Sequence, residues 1–336
     1  MSAPHPPALG DDHEQEQEQE QDHTAPSVDG VPRRSLLRLA TRGVVAAGLA
    51  VSVAGSLSGC GLRLDLPQPA PPAPTRRPAP DEALLVSVIT DLSQIVTAEK
   101  AVAAGLSRGP TATTVSTLLR LHREQVTVLT GRLTNDGVPT RLITPSSSSR
   151  PAPRSAGQLA ARLDSLGDAD WAALAGATPS TRELLASAYS LRLCGAALLG
   201  RAVAAPTPPS PVREALLART RPLVYAFEVV AAQSAKSQRS RAVATLSGLK
   251  NLEHEVAADS VTAPTGWSLP FPVTTARAAS RLATHVMSAA VASLVDVAGP
   301  SPTAASLRDS ATWSARVQSL AVDWSVPLTP FPGTDE

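Results

Sequence analysis

From residue 81 onward, apolar residues recur at three- and four-residue intervals over stretches long enough to be helices. In DEALLVSVITDLSQIVTAEKAVAAGL, Leu85, Val88, Ile89, Leu92, Ile95 and Val96 share one face. Asp81 and Glu82 suit a helix start, and Gly109-Pro110 closes the region. TATTVSTLLRLHREQVTVLTGRLTNDG repeats the pattern through Val115, Leu118, Leu121, Val126 and Leu129, and stops at Asn135-Asp136-Gly137. A loop through PSSSSRPAPRS follows, then helical stretches over 156–166, 169–175 and 180–203. APTPPSP (205–211) breaks the chain. Beyond it the pattern predicts helices over 212–235, 238–260, 274–297 and 302–324, with Pro222 kinking or breaking the first. No stretch alternates with period two between turn dipeptides, so the expected fold class is all-α.

The two halves read alike when laid side by side. LVSVITDLSQIV (85–96) pairs with LVYAFEVVAAQS (223–234), allowing a one-residue slip. VPTRLITP (138–145) matches TGWSLPFP (265–272), and AARLDSL (160–166) matches ASRLATH (279–285). TPSTRELLASAYSLRL (178–193) pairs with SPTAASLRDSATWSAR (301–316). The expectation is a duplication, with four helices per half packed around shared apolar cores.

The segment before this helical region has a different character. Residues 1–32 include EQEQEQEQ (14–21), an acidic low-complexity tract that cannot build a core, and are expected to be a disordered extension. Arg33-Arg34-Ser35-Leu36-Leu37 resembles a twin-arginine signal, although Pro32 stands where Ser or Thr is common and Leu36 where Phe is common. The uncharged run Gly43–Leu57 has the length of a signal core and falls short of the roughly 20 residues that span a bilayer. Leu57-Ser58-Gly59-Cys60 resembles a lipobox. That resemblance implies cleavage before Cys60 and acylation of its thiol, where each buried CH₂ contributes about 0.8 kcal/mol of anchoring. The expected organisation is therefore a signal peptide over 33–59, a lipidated Cys60 with a proline-rich linker over 60–80, a first helical bundle over 81–204 and a second over 212–326. Polyproline II geometry would let its eighteen proline-rich residues, 63–80, reach roughly 55 Å, at about 3.1 Å per residue.

The whole chain carries a formal net charge of +1 and the part after the signal is mildly basic without a polybasic tract, so nucleic acid is not an expected partner. Lysine occurs only at 100, 236 and 250 while Arg and Ala are abundant, a usage that suggests a high-GC bacterial genome. Beyond Cys60 the one cysteine is Cys194, within LRLCGAALL, which reads as a buried small hydrophobe. No Gly-rich phosphate loop, Cys-x-x-Cys, GxSxG or HExxH is present. Trp171, Trp267, Trp313 and Trp324 are expected to anchor cores or loops, with a ligand cleft as the alternative.

VYAFEVVAAQ (224–233), SGLKNLEHEV (247–256), LPFPVTTARAASRLATHV (269–286) and the last helix around Trp313 resemble the actinobacterial ferritin-like family known as domain of unknown function 4439. The likeness covers about a third of the chain, or most of the part after the signal if the first half is a diverged copy. It implies a ferritin-like four-helix bundle and no established activity. Ferritin-like di-metal sites use Glu-x-x-His, because residues i and i+3 converge on one face of a helix. The histidines after the signal are His122, His254 and His285, and the residues three before them are Leu119, Asn251 and Leu282. The remaining candidate ligands are Glu228, Glu253, His254, His285 and Asp309, with Asp91, His122, Glu124 and Glu183 as a weaker set in the first half.

Three functions stay in play. The first is a non-enzymatic, lipid-anchored helical bundle on the extracytoplasmic face of the cell membrane, held to membrane lipid through Cys60, with no cofactor and with a binding or envelope role toward a protein or small molecule. The second is an oxidoreductase or metal-storage bundle holding iron or manganese at the candidate ligands. The third is a ligand-capturing lipoprotein, which usually calls for an α/β two-lobed domain.

Overall fold

Helix after helix follows the apolar periodicity, and no strand interrupts them among the described residues of this computed structural model, 76–144, 151–203, 212–257, 266–293 and 302–334. These residues all lie in one unit, Ala73–Glu336. The signal and lipidation residues Arg33, Arg34, Leu57, Ser58, Gly59 and Cys60 lie outside the described residues.

Ten α-helices are described: α1 (Glu82–Gly105), α2 (Pro110–Asn135), α3 (Thr140–Ile143), α4 (Ala156–Leu163), α5 (Asp168–Ala175), α6 (Pro179–Leu198), α7 (Arg213–Gln233), α8 (Lys236–Ala257), α9 (Ala276–Ala292) and α10 (Ala304–Ala321). Local chemistry sets their ends. Pro110 and Pro179 open α2 and α6, where a missing N–H costs nothing. Ser155 and Thr275 cap α4 and α9 by accepting the N–H of Gln158 and Ala278. Thr303 and Ser306 form a reciprocal capping box on α10.

Two expectations are refined. α7 does not break at Pro222 but runs through it. Asp81 precedes α1 without capping it: its φ is 58°, and its carboxylate instead accepts the backbone N–H of Thr178 at 3.0 Å and the Thr178 hydroxyl at 2.5 Å. The acidic residue thus ties the start of α1 to the start of α6.

In the first half α1 packs on α2 and α4, and both of those pack on α6; in the second, α7 packs on α8 and α9, and both of those pack on α10. Each half has its own apolar core. Leu85, Ile89, Ile95, Leu118, Leu129 and Leu163 lie in the first. Phe227, Leu249, Leu282, Met287, Trp313 and Trp324 lie in the second. α10 serves both, with Leu307, Ala311 and Ala315 in the first core and Trp313, Val317 and Ala321 in the second. It also packs along α6. This double service explains why α10 is buried on nearly every face, and α6, enclosed by α2, α4, α5 and α10, is buried likewise.

Glycine permits a close helix crossing in each half. A Cβ on Gly195 (α6) would lie 3.0 Å from the Leu118 side chain (α2), and one on Gly248 (α8) 3.0 Å from the Leu320 side chain (α10). The chain then returns past a 3₁₀ turn at Val322–Trp324 to cover the first half. Phe331 enters the first core, the Gln125 side chain donates to the Pro330 carbonyl at 2.5 Å, and Ser187 donates to the Pro332 carbonyl at 2.6 Å.

Candidate functional site

The second-half ligand candidates occupy four helices but do not converge. On α7, the face carrying Thr220, Leu223, Phe227 and Val230 turns inward, so Glu228, one residue and about 100° further round, turns out. It is half exposed and pairs with Lys250 at 2.8 Å. Glu253 on α8 pairs with Arg221 at 3.2 Å, and His254 beside it is exposed. His285 on α9 is exposed and lies edge-on to Phe271 at 6.2 Å between ring centres. Asp309 is buried on α10.

Among the described residues, no group of three or more His, Cys, Asp or Glu side chains could hold a metal ion. The second core instead holds aromatic rings. Phe227 meets Trp324 edge-on at 5.4 Å, Trp313 donates its indole N–H to Thr220 at 2.9 Å, and Trp324 donates to Thr245 at 3.0 Å. Among the described residues these side chains do not supply the donor set of a ferritin-like di-metal centre.

The first half has a buried polar pair that the sequence reading missed. Glu99 on α1 and His122 on α2 are both fully buried, with the carboxylate 2.7 Å from Nδ1 of the imidazole. Periodicity contained the signal, because Glu99 lies seven residues after Leu92 and four after Ile95, on the buried face of α1. Set in TAEK beside Lys100, it reads as a surface charge. The weaker first-half candidates separate from one another. Glu124 is exposed and within 3.7 Å of Arg120, and Glu183 is exposed.

Asp91 is a clamp. It accepts from Arg162 on α4 and from Arg192 on α6, the latter at 2.5 Å. The Arg192 guanidinium is nearly buried and also donates to the Leu163 carbonyl at 2.8 Å, the Arg162 carbonyl at 3.1 Å and Ser165 Oγ at 2.9 Å. Cys194 is fully enclosed, and burial pushes its thiol pKa well up, which leaves it in the unreactive protonated form.

An open site lies between α7 and α9. It is a groove of about 540 Å³, floored by Trp313 and walled by Pro222 and Leu223 on one side and Val286 and Ala289 on the other. Ser268, Leu269 and Pro270 close one end. That loop is fastened at both flanks: Trp267 meets Tyr225 at a tilt with 5.8 Å between ring centres, and Arg281 sits 4.0 Å above the Phe271 ring. Local sequence opens the groove. Ala218, Ala289 and Ala290 are too small to fill it, and Pro222 has no N–H to offer the Ala218 carbonyl. Among the described residues, Arg219 and His285 are its ionisable lining groups, and none that lines it is acidic. Arg219 Nη1 donates to the Ser293 carbonyl at 2.5 Å, which holds the guanidinium at the C-terminal end of α9.

No family model matches the chain, no curated protein matches it, and no solved structure matches it.

Proposed function

We propose that this chain is a lipid-anchored, extracytoplasmic protein of two ferritin-like four-helix halves, and that it binds a ligand rather than catalysing a reaction. The α7–α9 groove carries the reading, because it joins an apolar wall to a cationic rim and is open to solvent. The interior ionisable groups support it. Glu99 is engaged by His122, Asp91 by two arginines, and the Cys194 thiol is sealed in. The matching order of neighbours in the two halves supports a duplication.

The anchor rests on Leu57-Ser58-Gly59-Cys60 behind an uncharged run and an arginine pair. No helix among the described residues is long and apolar enough to cross a membrane. Two or more acyl chains on Cys60 give stable attachment.

Fractionation of cells expressing the full chain tests this. The wild-type protein stays with membranes through detergent-free washing, and Cys60→Ala moves to the soluble fraction. Equal retention of both proteins overturns the anchor.

A further inference from the structure

We propose that the α7–α9 groove binds a single-chain amphiphile with a carboxylate head, a fatty acid. The head sits at Arg219 and the chain runs between Pro222, Leu223, Val286 and Ala289 over Trp313. This names the ligand for the binding role proposed above, and rests on that reading.

Charge selects the head. Among the described residues, the ionisable groups lining the groove are one guanidinium and one imidazole, with no carboxylate to repel an anion. Arg219 is held through Nη1 by the Ser293 carbonyl, and its guanidinium makes no other hydrogen bond among the described residues. Its remaining N–H donors are not spent on any described residue, and the Nη1 bond orients them for a planar, singly charged acceptor. One permanent cation matches a carboxylate better than a doubly charged phosphate.

Shape selects the tail. The volume falls within the range of small-molecule sites. The walls are aliphatic and proline carbons, and the floor is an indole whose N–H is already spent on Thr220, so the tail meets no unsatisfied donor there.

The test uses the full chain carrying Cys60→Ser, so that no covalent acyl chain competes. cis-Parinaric acid is titrated and its fluorescence followed, with palmitate, hexadecanol and hexadecyltrimethylammonium as competitors. Binding saturates at one probe per chain, and palmitate displaces it far better than the cationic amphiphile does. Arg219→Gln weakens palmitate by about tenfold or more, the worth of a charge-assisted pair, and leaves hexadecanol unchanged. Ala289→Trp and Ala218→Leu, both at exposed positions, each abolish binding while circular dichroism stays helical.

Absence of saturable binding overturns the proposal, as does binding that survives both filling variants. Equal competition by the cation, or palmitate affinity indifferent to Arg219→Gln, overturns the assignment of the head. Failure of the anchor reading is seen separately, in the fractionation of Cys60→Ala.

Discussion

Gln318 on α10 donates its side-chain amide to Ser190 on α6 at 3.1 Å, and to Ser314 on its own helix at 2.8 Å. All three residues are buried, and the first bond crosses from one half to the other. Small residues along this seam let α6 and α10 approach, and one amide binds them in register. Gln318→Ala removes that bridge and leaves a small void, with an expected cost of about 1–3 kcal/mol. Urea denaturation measures it. A double-mutant cycle with Ser190→Ala returns a coupling energy of at least 0.5 kcal/mol, on the order expected for contacting residues.

The Asp91 clamp and the Glu228 surface pair make a contrast in burial. Asp91→Ala takes the carboxylate from the nearly buried Arg192 guanidinium but leaves its bonds to the Leu163 and Arg162 carbonyls and Ser165. Asp91 itself is partly exposed, so the expected cost is about 1.5–3 kcal/mol, that of a hydrogen bond to a charged group. Glu228→Ala breaks an ion pair whose two side chains are about half exposed, and such pairs contribute about 0–1 kcal/mol. Thermal melts of the two variants should differ in that order, by a few degrees.

The same contrast marks what the sequence made legible. Apolar spacing located the long helices, and Cys194 as a buried hydrophobe followed from its neighbours. Placement of charges was harder, because adjacent helical residues point about 100° apart. Glu228 lies among Phe227, Val229 and Val230 yet faces water, whereas Glu99 lies beside Lys100 and faces the core. The pairing of α6 with α10 was equally hidden, since helices buried all round have no amphipathic stripe to show which side meets which partner. The groove depends on Pro222 and on alanines brought together from α7 and α9, a long-range fact that no local pattern encodes.

Asp81 predicts an acid dependence. Burial alone would raise its pKa, but the hydroxyl and N–H of Thr178, with Thr181 and Arg132 nearby, outweigh burial and hold it below the usual carboxylate range. A carboxyl depressed in the folded state adds stability that is fully present above its unfolded value of about 3.9, and loses it as pH falls through the folded value. Wild type is therefore more stable than Asp81→Asn at neutral pH by a constant margin, and the margin narrows below about pH 4. Urea midpoints of both proteins across that range measure it. A margin that widens on acidification contradicts the assignment.

Glu99 and His122 separate a structural pair from a functional one. Each is fully buried and each is the other's partner at 2.7 Å. Removing either one leaves a polar group in the core without its bond, at about 1–3 kcal/mol. Removing both together exchanges a desolvated polar contact for apolar packing, which can be nearly neutral when shape is kept. Glu99→Gln, which keeps a side-chain carbonyl acceptor and the volume, is expected to cost less than Glu99→Ala. The double variant Glu99→Leu/His122→Phe is expected to melt closer to wild type than either Glu99→Leu or His122→Phe alone. Since the pair lies in the first core and the groove in the second, the double variant should also bind cis-parinaric acid with unchanged affinity. Loss of probe binding in a well-folded double variant would mean that the pair governs the groove across the α6–α10 seam, and its role would then be more than structural.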